Sequence, residues 1–355
     1  MSEKTFTNSQ SEWISKKGPQ HDVAISSRIR LARNLEKYPM NAFSGNDQGK
    51  AVLEKVCAVV DKINSNEQEG WNVILLDELT TVEKQVLLEK HLISKEHTEN
   101  KANKALILND EENLSIMVNE EDHLRIQTIL PGLQLEEAWR IADRADDLLE
   151  EHLDYAYCEE KGYLTCCPTN VGTGMRASVM LHLPGLIAAK QAGKIFEALS
   201  QLGLVVRGLY GEGTEAAGNI YQISNQITLG QKEEDIVSNL ATVAKQIIEK
   251  EMEIRRFIWR ETPMLLKDRV MRAYGALKYA AVLSSEEALN HISNIRLGLS
   301  LGILNQGLST EKLNELMVSS QPGFLQQNSG RIMDSMERDE ARAKLFNSID
   351  SVKLK

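Results

Sequence analysis

The chain has 355 residues, with 41 Lys or Arg against 51 Asp or Glu, and its formal net charge is −10. This length predicts two domains, or one large domain with an appendage, and 42% hydrophobic residues are enough for a buried core. The negative charge argues against a general nucleic-acid or membrane-surface binder, although a local basic site remains compatible with it.

Targeting and cysteine signals are weak. Residues 1–17 are polar and charged, so no signal peptide is expected, and no apolar run is long enough for a membrane span. The four cysteines show neither a C-x-x-C pair nor zinc spacing with the seven histidines. We therefore predict a cytoplasmic protein with free thiols. The cysteines are Cys57, Cys158, Cys166 and Cys167.

The first 255 or so residues alternate between strand and helix patterns. Residues 1–20 are predicted to be a flexible arm. Val23 to Leu31 then alternates as a half-buried strand, with Val23, Ile25, Ile29 and Leu31 on one face and Arg28 and Arg30 on the other. Further strands are predicted at Val73–Leu76, Ala105–Asn109, Leu114–Val118, Leu124–Ile129, Met175–Leu183, Leu204–Arg207 and Ile220–Ser224. Helices are predicted at Gly49–Asn64, Thr81–His91, Leu135–Leu153, Leu186–Leu202 and Glu233–Ile258.

After Pro263 the pattern is helical. Ser284-x-x-Glu287 is a capping-box signature, and the last helix is predicted from about Arg331 to Phe346. The fold class is therefore α+β, followed by an all-helical region.

A cysteine precedes a Gly-x-Gly loop in the segment from Cys167 to Ala177. Gly172-x-Gly174-x-x-Ala177 resembles a dinucleotide fingerprint, but that motif opens a helix and has an acid about 20 residues later. Here a strand pattern and lysines follow, so a Rossmann site is not expected.

Five arginines occupy comparable places, each on or at the end of a predicted strand and opposite its apolar residues. If the strands share one sheet, these guanidinium groups converge and suit a polyphosphate such as ATP, bound without a P-loop. The alternative is that surface strands carry arginines paired with the abundant acids. The five are Arg28, Arg30, Arg125, Arg176 and Arg207.

Two glutamates and one cysteine lie near these arginines in the sequence. Glu121 is at the tip of the predicted hairpin 114–129, and Glu212 is in a glycine-rich loop after Arg207. Two carboxylates could orient a planar cation and remove a proton from it, although an acidic turn is commonly just solvated. Cys167 is either a reactive thiolate near cations or a small buried side chain.

Together these segments resemble the guanidino (phosphagen) kinase family. The resemblance covers residues 20–255, and its four motifs are residues 26–30, 119–125, 167–184 and 207–225. It implies a glutamine-synthetase-like catalytic domain with a mainly antiparallel sheet flanked by helices. It also implies ATP and Mg²⁺, with no direct metal ligand from protein side chains.

The resemblance assigns roles to particular residues. Glu121 and Glu212 would clamp the guanidinium and supply the base, and Cys167 would lie against its nitrogens. The implied ATP-binding residues are Ser27, Arg28, Arg30, Arg125, Arg176, Arg207 and Gly208.

Departures from the metabolite kinases indicate a bacterial branch of the family that phosphorylates arginine side chains in proteins. Only 25 residues precede Ser26, where metabolite kinases have a helical domain, and a helical tail follows residue 258. The expected divisions are an arm at 1–20, a catalytic domain at 21–257 and a helical domain at 258–355. The family histidine aligns with Met180, with His182 two residues later, which leaves contacts to the nucleotide base open.

The tail matches the RDxxRA phosphoarginine-binding motif of that branch through Arg338, Asp339 and Arg342. On a helix the two arginines lie one turn apart and could clamp one phosphate. Alone, such a pair is usually a solvated face.

The resemblance implies protein substrates, a Clp-type protease system, a small activator protein and a homo-oligomer of two or more chains. No nucleic acid or membrane partner is expected. Two alternatives stay open: a kinase of a small free guanidino metabolite, and a non-catalytic adaptor that binds phosphoarginine.

Overall fold

A computed structural model describes residues 11–40, 46–67, 69–99, 102–208, 216–349 and 353–354. Its centre is an eight-stranded antiparallel sheet in the order β2-β3-β4-β5-β1-β8-β10-β9. Two small two-stranded ladders, β6-β7 and β11-β12, lie outside it. The strands are β1 (Ala24–Arg33), β2 (Asn72–Leu75), β3 (Ala105–Leu108), β4 (Leu114–Val118), β5 (Leu124–Pro131), β6 (Tyr157–Cys158), β7 (Gly162–Tyr163), β8 (Met175–His182), β9 (Leu204–Gly208), β10 (Ile220–Asn225), β11 (Leu304–Gln306) and β12 (Lys353–Leu354).

Helices pack on both faces of this sheet and make up most of the tail. Their bounds are α1 (Glu12–Ser15), α2 (Asn46–Glu67), α3 (Thr81–Glu89), α4 (Leu135–Glu150), α5 (Pro184–Ala188), α6 (Ala192–Gln201), α7 (Glu233–Glu261), α8 (Pro263–Tyr279), α9 (Ser285–Ser300), α10 (Thr310–Ser319), α11 (Pro322–Ser329) and α12 (Ser335–Asn347).

The main core lies between one face of the sheet and helices α2, α4 and α7. Alternate strand residues such as Ile29, Ile126 and Val179 are fully buried there. Small residues on α4, such as Ala142 and Ala145, let that helix approach the sheet closely. This packing leaves the opposite side chains of β1, β5 and β8 on the other face.

The tail helices cover one end of that other face. A second core joins residues of α8 to α12 with Ile25, Ile129 and Met180 from the sheet. Ile25 reaches this core, and not the one that contains Ile29, because the β1–β8 register shifts between Ala24 and Ser26. A bulge of this kind moves a side chain to the opposite face, so the predicted common face for Ile25 and Ile29 is wrong.

A buried ion pair joins the central sheet to the tail. Glu251 on α7 accepts hydrogen bonds from the backbone N–H groups of Gly185 and Leu186, both at 2.8 Å, and from Arg255 at 2.6 Å. Arg255 also donates to the His182 carbonyl at 2.7 Å and to the Ser300 hydroxyl at 3.0 Å. Neither charged side chain is exposed, so each depends on this complete set of partners.

The α+β expectation is confirmed, and three local predictions are corrected. Residues 11–20 are not a loose arm, because Trp13 is fully buried and its indole N–H donates to the Lys90 carbonyl at 3.1 Å; residues 1–10 lie outside the described residues. The predicted helix 186–202 is two helices, separated where Lys190 has a φ of 56°. The expected division at 257/258 falls inside α7, and the chain turns at Thr262.

None of the helices in the described ranges combines the length and the apolar character that a membrane crossing needs.

We predict that Glu251→Gln lowers the free energy of unfolding by about 3 kcal/mol, because it leaves the Arg255 charge buried without its counter-ion. Urea denaturation followed by circular dichroism measures this. Glu253→Gln is the matched control, since Glu253 pairs with Lys250 on the exposed side of the same helix and should change stability by less than about 0.5 kcal/mol. Equal effects of the two changes would contradict the prediction.

Candidate active site

The pairing of β1 between β5 and β8 brings arginines to one face of the sheet. Arg30 pairs directly with Arg176 on β8, and Arg125 on β5 pairs with Ala32, two residues along β1. Residues two apart on a strand, and residues paired across strands, point to the same face. Arg28, Arg30, Arg125 and Arg176 therefore share the face opposite the main core, as the sequence predicted.

A cavity of about 100 Å³ opens on this arginine face. Arg30, Arg125 and Arg176 line it together with Glu121 and Cys167. These five residues come from three strands, a hairpin tip and a loop. The cavity therefore has cationic groups from the sheet together with a carboxylate and a thiol from the connecting segments.

The guanidinium groups repel one another. Burial, followed by the charges of Arg125 and Arg176, lowers the pKa of Arg28 to about 10. Burial and the charges of Arg28, Arg125 and Arg176 also lower the pKa of Arg30 well below its usual value. Within the described part of the chain, Arg30 Nε is buried and has no hydrogen-bond partner. A polyanion in the cavity would relieve this repulsion and satisfy that donor.

Glu120 is the counter-ion that fixes Arg125. Its side chain is 1% exposed, and its Oε1 lies 2.6 Å from Arg125 Nη1 and accepts from the Ser94 hydroxyl. Its Oε2 accepts from the backbone N–H of Glu121 at 2.7 Å. One buried carboxylate thus orients both the arginine and the neighbouring glutamate.

Glu121 faces the cavity with 44% of its side chain exposed, and its Oε2 lies 3.5 Å from Arg125 Nη2. Burial is the main reason that the pKa of its carboxyl is raised, with Arg125 opposing the shift. A carboxylate with a raised pKa is a better proton acceptor than an ordinary glutamate. The reading of residues 120–122 as a solvated acidic turn is wrong, because Glu120 and Asp122 are buried.

Asp122 ties the glutamate hairpin to the segment that carries Cys167. Its Oδ1 accepts from the Cys166 backbone N–H at 2.7 Å and from the Asn34 amide at 2.6 Å. Asn34 in turn accepts from the His123 backbone N–H at 3.0 Å. These contacts fix Glu121 and Cys167 on the same side of the cavity. Cys167 Sγ itself lies 3.0 Å from Thr169 Oγ1.

A smaller cavity of about 10 Å³ continues the arginine face toward the tail. Arg28, His91, Met180 and Gln222 are among its lining residues, and Arg28 donates to Gln222 at 2.8 Å. Burial, and then Arg28, lowers the pKa of His91 to about 3, so its ring is neutral at physiological pH. Met180 lines the same cavity as Arg28, so it lies next to the cationic cluster.

His182 and Arg207 occupy different environments. His182 is fully buried and bonded to Arg255 and Ser293, so its ring belongs to the buried network and not to this cavity. Arg207 on β9 is exposed, and it lies opposite Gln222 of β10 in the strand register. Burial lowers the pKa of Arg176, and the charge of Arg207 is the next largest cause of that shift. Arg207 thus lies at the outer edge of the cluster.

Two other predicted residues, Ser27 and Gly208, are not among the residues that line the cavity. Ser27 alternates with Arg28 and faces the other side, where its hydroxyl donates to the Gly132 carbonyl at 2.8 Å and accepts from the Gln134 N–H at 2.9 Å. Its side chain therefore does not reach the arginine face, and a role of Ser27 in ATP binding stays a prediction. Gly208 ends β9 and pairs with Tyr221. Glu212 lies outside the described residues.

The tail motif lies on α12. Arg342 is 1% exposed and donates to the carbonyls of Ser320 at 2.8 Å and Leu283 at 2.7 Å, and it pairs with Asp339 at 2.5 Å. Arg338 donates to the Met333 carbonyl at 2.7 Å. The two arginines are therefore not equivalent: Arg342 is a buried, bonded residue, and Arg338 is only half-buried.

Comparisons with known proteins agree with this geometry. The family model of the ATP:guanido phosphotransferase C-terminal catalytic domain matches residues 51–254, and that of the protein-arginine kinase McsB C-terminal domain matches residues 263–350. The protein-arginine kinase of Brevibacillus brevis is 49% identical over 98% of this chain and 97% of its own length. That of Pelotomaculum thermopropionicum is 50% identical over 96% of each.

The chain belongs to the protein-arginine kinase family. This confirms the resemblance to the guanidino kinases and places the chain in the branch that carries a helical tail.

Solved structures extend the likeness to the fold. A taurocyamine kinase from Schistosoma mansoni has a TM-score of 0.59 at 24% identity, over 69% of this chain and 35% of that one. Lombricine kinase has a TM-score of 0.57 at 22% identity, over 69% and 70% of the two chains. At these identities the comparison establishes a phosphagen-kinase fold.

Sequence reasoning missed the supporting residues Glu120, Asp122 and Asn34. Nothing in the sequence separates the buried Glu120 and Asp122 from the exposed Glu121 at the acidic tip. Ser94 carries no signal either, because its contact with Glu120 depends on how residues 94 and 120 meet in space.

We predict that Arg30→Met raises the free energy of unfolding by about 1 kcal/mol, because it removes a crowded charge and an unpaired buried donor. Urea denaturation at low ionic strength measures this. The same change should weaken tripolyphosphate binding by at least about tenfold in calorimetry, as expected for the loss of one charge-assisted hydrogen-bonding group. Arg140→Met, at an exposed pair with Glu137, is the control for both measurements. If Arg30→Met is less stable than the unchanged protein, the prediction is wrong, because the charge of Arg30 is then already compensated in the folded chain.

Proposed function

We propose that this chain is an ATP-dependent kinase that transfers the γ-phosphoryl group to a guanidino nitrogen of arginine side chains in proteins. The observation that carries the proposal is the single cavity lined by three arginines, a glutamate and a cysteine. Membership of the protein-arginine kinase family supports arginine side chains in proteins as the acceptor.

The arginine face suits the triphosphate. Arg30, Arg125 and Arg176 would contact its terminal phosphates. Arg28 and Arg207 would contact the triphosphate from either side of these three. Their fixed forks match phosphate oxygens and neutralise charge that develops during transfer. Within the described residues no group of three or more His, Cys, Asp or Glu side chains is placed to hold a metal ion. We expect Mg²⁺ to enter with ATP and to add to this neutralisation.

Glu121 would act on the acceptor. As the new N–P bond forms and the bond from the γ-phosphorus to the ADP oxygen breaks, the guanidinium proton would pass to the Glu121 carboxylate. Cys167 would lie against the guanidino nitrogens and help to orient them. We propose Glu212 as the second carboxylate of this clamp.

A free guanidino metabolite is the competing acceptor. Offering free arginine and an arginine-rich protein at equal guanidino concentration separates the two, because a protein-arginine kinase should phosphorylate the protein at a rate at least about tenfold higher, a difference of about 1.4 kcal/mol in transition-state stabilisation. Equal or faster use of free arginine would favour the metabolite kinase.

The direct test is incubation of a protein substrate with ATP and Mg²⁺, followed by phosphorus NMR or mass spectrometry without acid. We expect an acid-labile phosphoramidate on arginine. Glu121→Gln should reduce the rate by at least about a hundredfold, the usual contribution of a general base, while ATP binding stays within about twofold. An acid-stable hydroxyl ester, or a Glu121→Gln rate near that of the unchanged protein, would contradict the proposal.

We further propose a cytoplasmic location, delivery of phosphorylated proteins to a Clp-type protease, a small activator protein and self-association of the chain. These proposals rest on the family relationship.

For the tail, we propose that phosphoarginine binds at α12 and activates the enzyme. Arg338 and Asp339 are the partly exposed members of the motif, so they would contact the ligand directly. Arg342 would hold the site in shape through Ser320, Leu283 and Asp339.

The contacts of Arg342 supply a physical route from the tail to the catalytic sheet. Ser320, which it holds, lies just before α11, and the first N–H groups of that helix donate to Glu89 on α3, from Gly323 at 2.8 Å and from Phe324 at 3.1 Å. A carboxylate at a helix N-terminus is well stabilised. Two residues after Glu89, His91 borders the same small cavity as Arg28.

We predict that Arg338→Ala abolishes activation by added phosphoarginine and weakens its binding by at least about tenfold, since one charge-assisted clamp is lost. Binding is measured by calorimetry and activation by initial rates. Basal activity and the unfolding midpoint should stay close to those of the unchanged protein. Arg331→Ala, at an exposed pair with Glu337 beside the same helix, is the control. Unchanged affinity in Arg338→Ala would refute binding at this motif.

A further inference from the structure

One buried arginine has no place in the function proposed above. Arg33 follows the arginine face along β1 but points to the opposite side, where its side chain is 1% exposed. Its Nε lies 2.9 Å from Asp146 Oδ2 on α4, and its Nη2 lies 2.5 Å from the same oxygen. A charge is costly to bury even when it is paired, so this position calls for a further explanation.

Arg33 contacts both ends of the segment that carries Cys167. At one end, its guanidinium carbon lies 3.5 Å from the centre of the Tyr163 ring. At the other end, its Nη1 donates to the Thr173 carbonyl at 2.9 Å. The two ends also pair with each other, since the Tyr163 N–H donates to the Gly172 carbonyl at 2.8 Å. We call residues 163–174 the cysteine loop.

Gly174, at the end of the loop, has no room for a side chain beside Arg33. A Cβ on Gly174 would lie 2.7 Å from Arg33 Nη1 and 2.6 Å from the Ala32 carbonyl oxygen, and its φ is +65°. Only glycine fits both the conformation and the space. Gly174 also lines the cavity, and Arg176 follows two residues later, so the guanidinium of Arg33 lies directly beneath the wall of the site.

Other contacts hold the middle of the loop. The Thr228 hydroxyl lies 3.0 Å from the Thr169 carbonyl and 2.7 Å from that of Val171, and Asp122 accepts from Cys166. The ends of the loop have backbone contacts as well, since the Leu164 N–H donates to the Ala156 carbonyl at 2.9 Å and the Ala32 N–H donates to the Gly174 carbonyl at 3.0 Å. Arg33, which α4 holds through Asp146, adds side-chain contacts at Tyr163 and Thr173, so one side chain contacts both ends of the loop.

We propose that Arg33 and Tyr163 are positioning residues that hold the cysteine loop so that Cys167 faces Glu121. The inference rests on the proposed function for its kinetic readout. Tyr163 is suited to this role because its ring stacks on a desolvated guanidinium, a contact worth about 2 kcal/mol. The ring is only half-buried, so its removal leaves the main core intact.

The test compares Tyr163→Leu with Tyr163→Phe. Loss of the ring should lower kcat about tenfold, which corresponds to about 1.4 kcal/mol, and leave KM for ATP within about twofold. The phenylalanine variant keeps the stacking and should retain kcat within about twofold. Tyr157→Leu is the matched control, since Tyr157 contacts Tyr163 from the neighbouring strand and is 57% exposed.

A second readout does not need the enzyme activity. Alkylation of Cys167 by iodoacetamide, followed by peptide mass spectrometry, should be several-fold faster in Tyr163→Leu than in the unchanged protein or Tyr163→Phe. If the unchanged protein forms no phosphoarginine, the proposed function fails, and the alkylation rates still decide this inference. If Tyr163→Leu keeps both kcat and the alkylation rate within about twofold of the unchanged protein, the inference is overturned.

Loss of the fold would be recognised from the thermal unfolding midpoint. Should Tyr163→Leu unfold, Arg33→Lys takes its place, because lysine keeps a charge beside Asp146 but lacks the planar fork. It should show the same fall in kcat and the same faster alkylation, and wild-type values in a folded Arg33→Lys would overturn the inference.

Discussion

The antiparallel register of β1 with β5 and β8 is the constraint on which the rest of the molecule depends. It places Arg28, Arg30, Arg125 and Arg176 on one face while their sequence neighbours fill the core. Burial, and after it the like charges of the neighbouring arginines, lowers the pKa values of Arg28 and Arg30. The face is tolerated because the core behind it is large and because Glu120 neutralises Arg125. We expect that binding of the proposed polyanion would stabilise this face.

Around this face, a few buried polar groups turn separate segments into one site. Glu120 orients Arg125 and the Glu121 backbone, and Asp122 joins the hairpin tip to Cys166. Each carboxylate has its partners in the folded chain, so changing one residue would leave others buried without partners. The proposed chemistry therefore depends as much on these carboxylates as on the groups that would touch substrate.

Polar contacts hold the tail to the central sheet at several places. The Glu251–Arg255 pair reaches α9 through Ser300, and Glu89 on α3 accepts from the first turn of α11. Because α3 packs beside the arginine face and Arg342 holds the chain just before α11, the tail motif and the proposed ATP site are linked through bonded contacts. This is the route by which we propose that a tail ligand alters the proposed ATP site.

The sequence by itself determined much of the molecule. Alternation predicted the central strands, and motif spacing indicated the family. The cationic face was predicted from the arginines that lie opposite apolar neighbours, Arg28, Arg30, Arg125 and Arg176.

Tertiary structure decided the features that depend on partners distant in the sequence. A bulge moved Ile25 to the second core, and alternation turned Ser27 away from the arginines. Glu120, Arg33 and Arg342 became buried because Ser94, Asp146 and Ser320 meet them in space. From sequence alone, a charged residue is expected to be exposed. Only its neighbours in the fold show whether hydrogen bonds and opposite charges compensate for its burial.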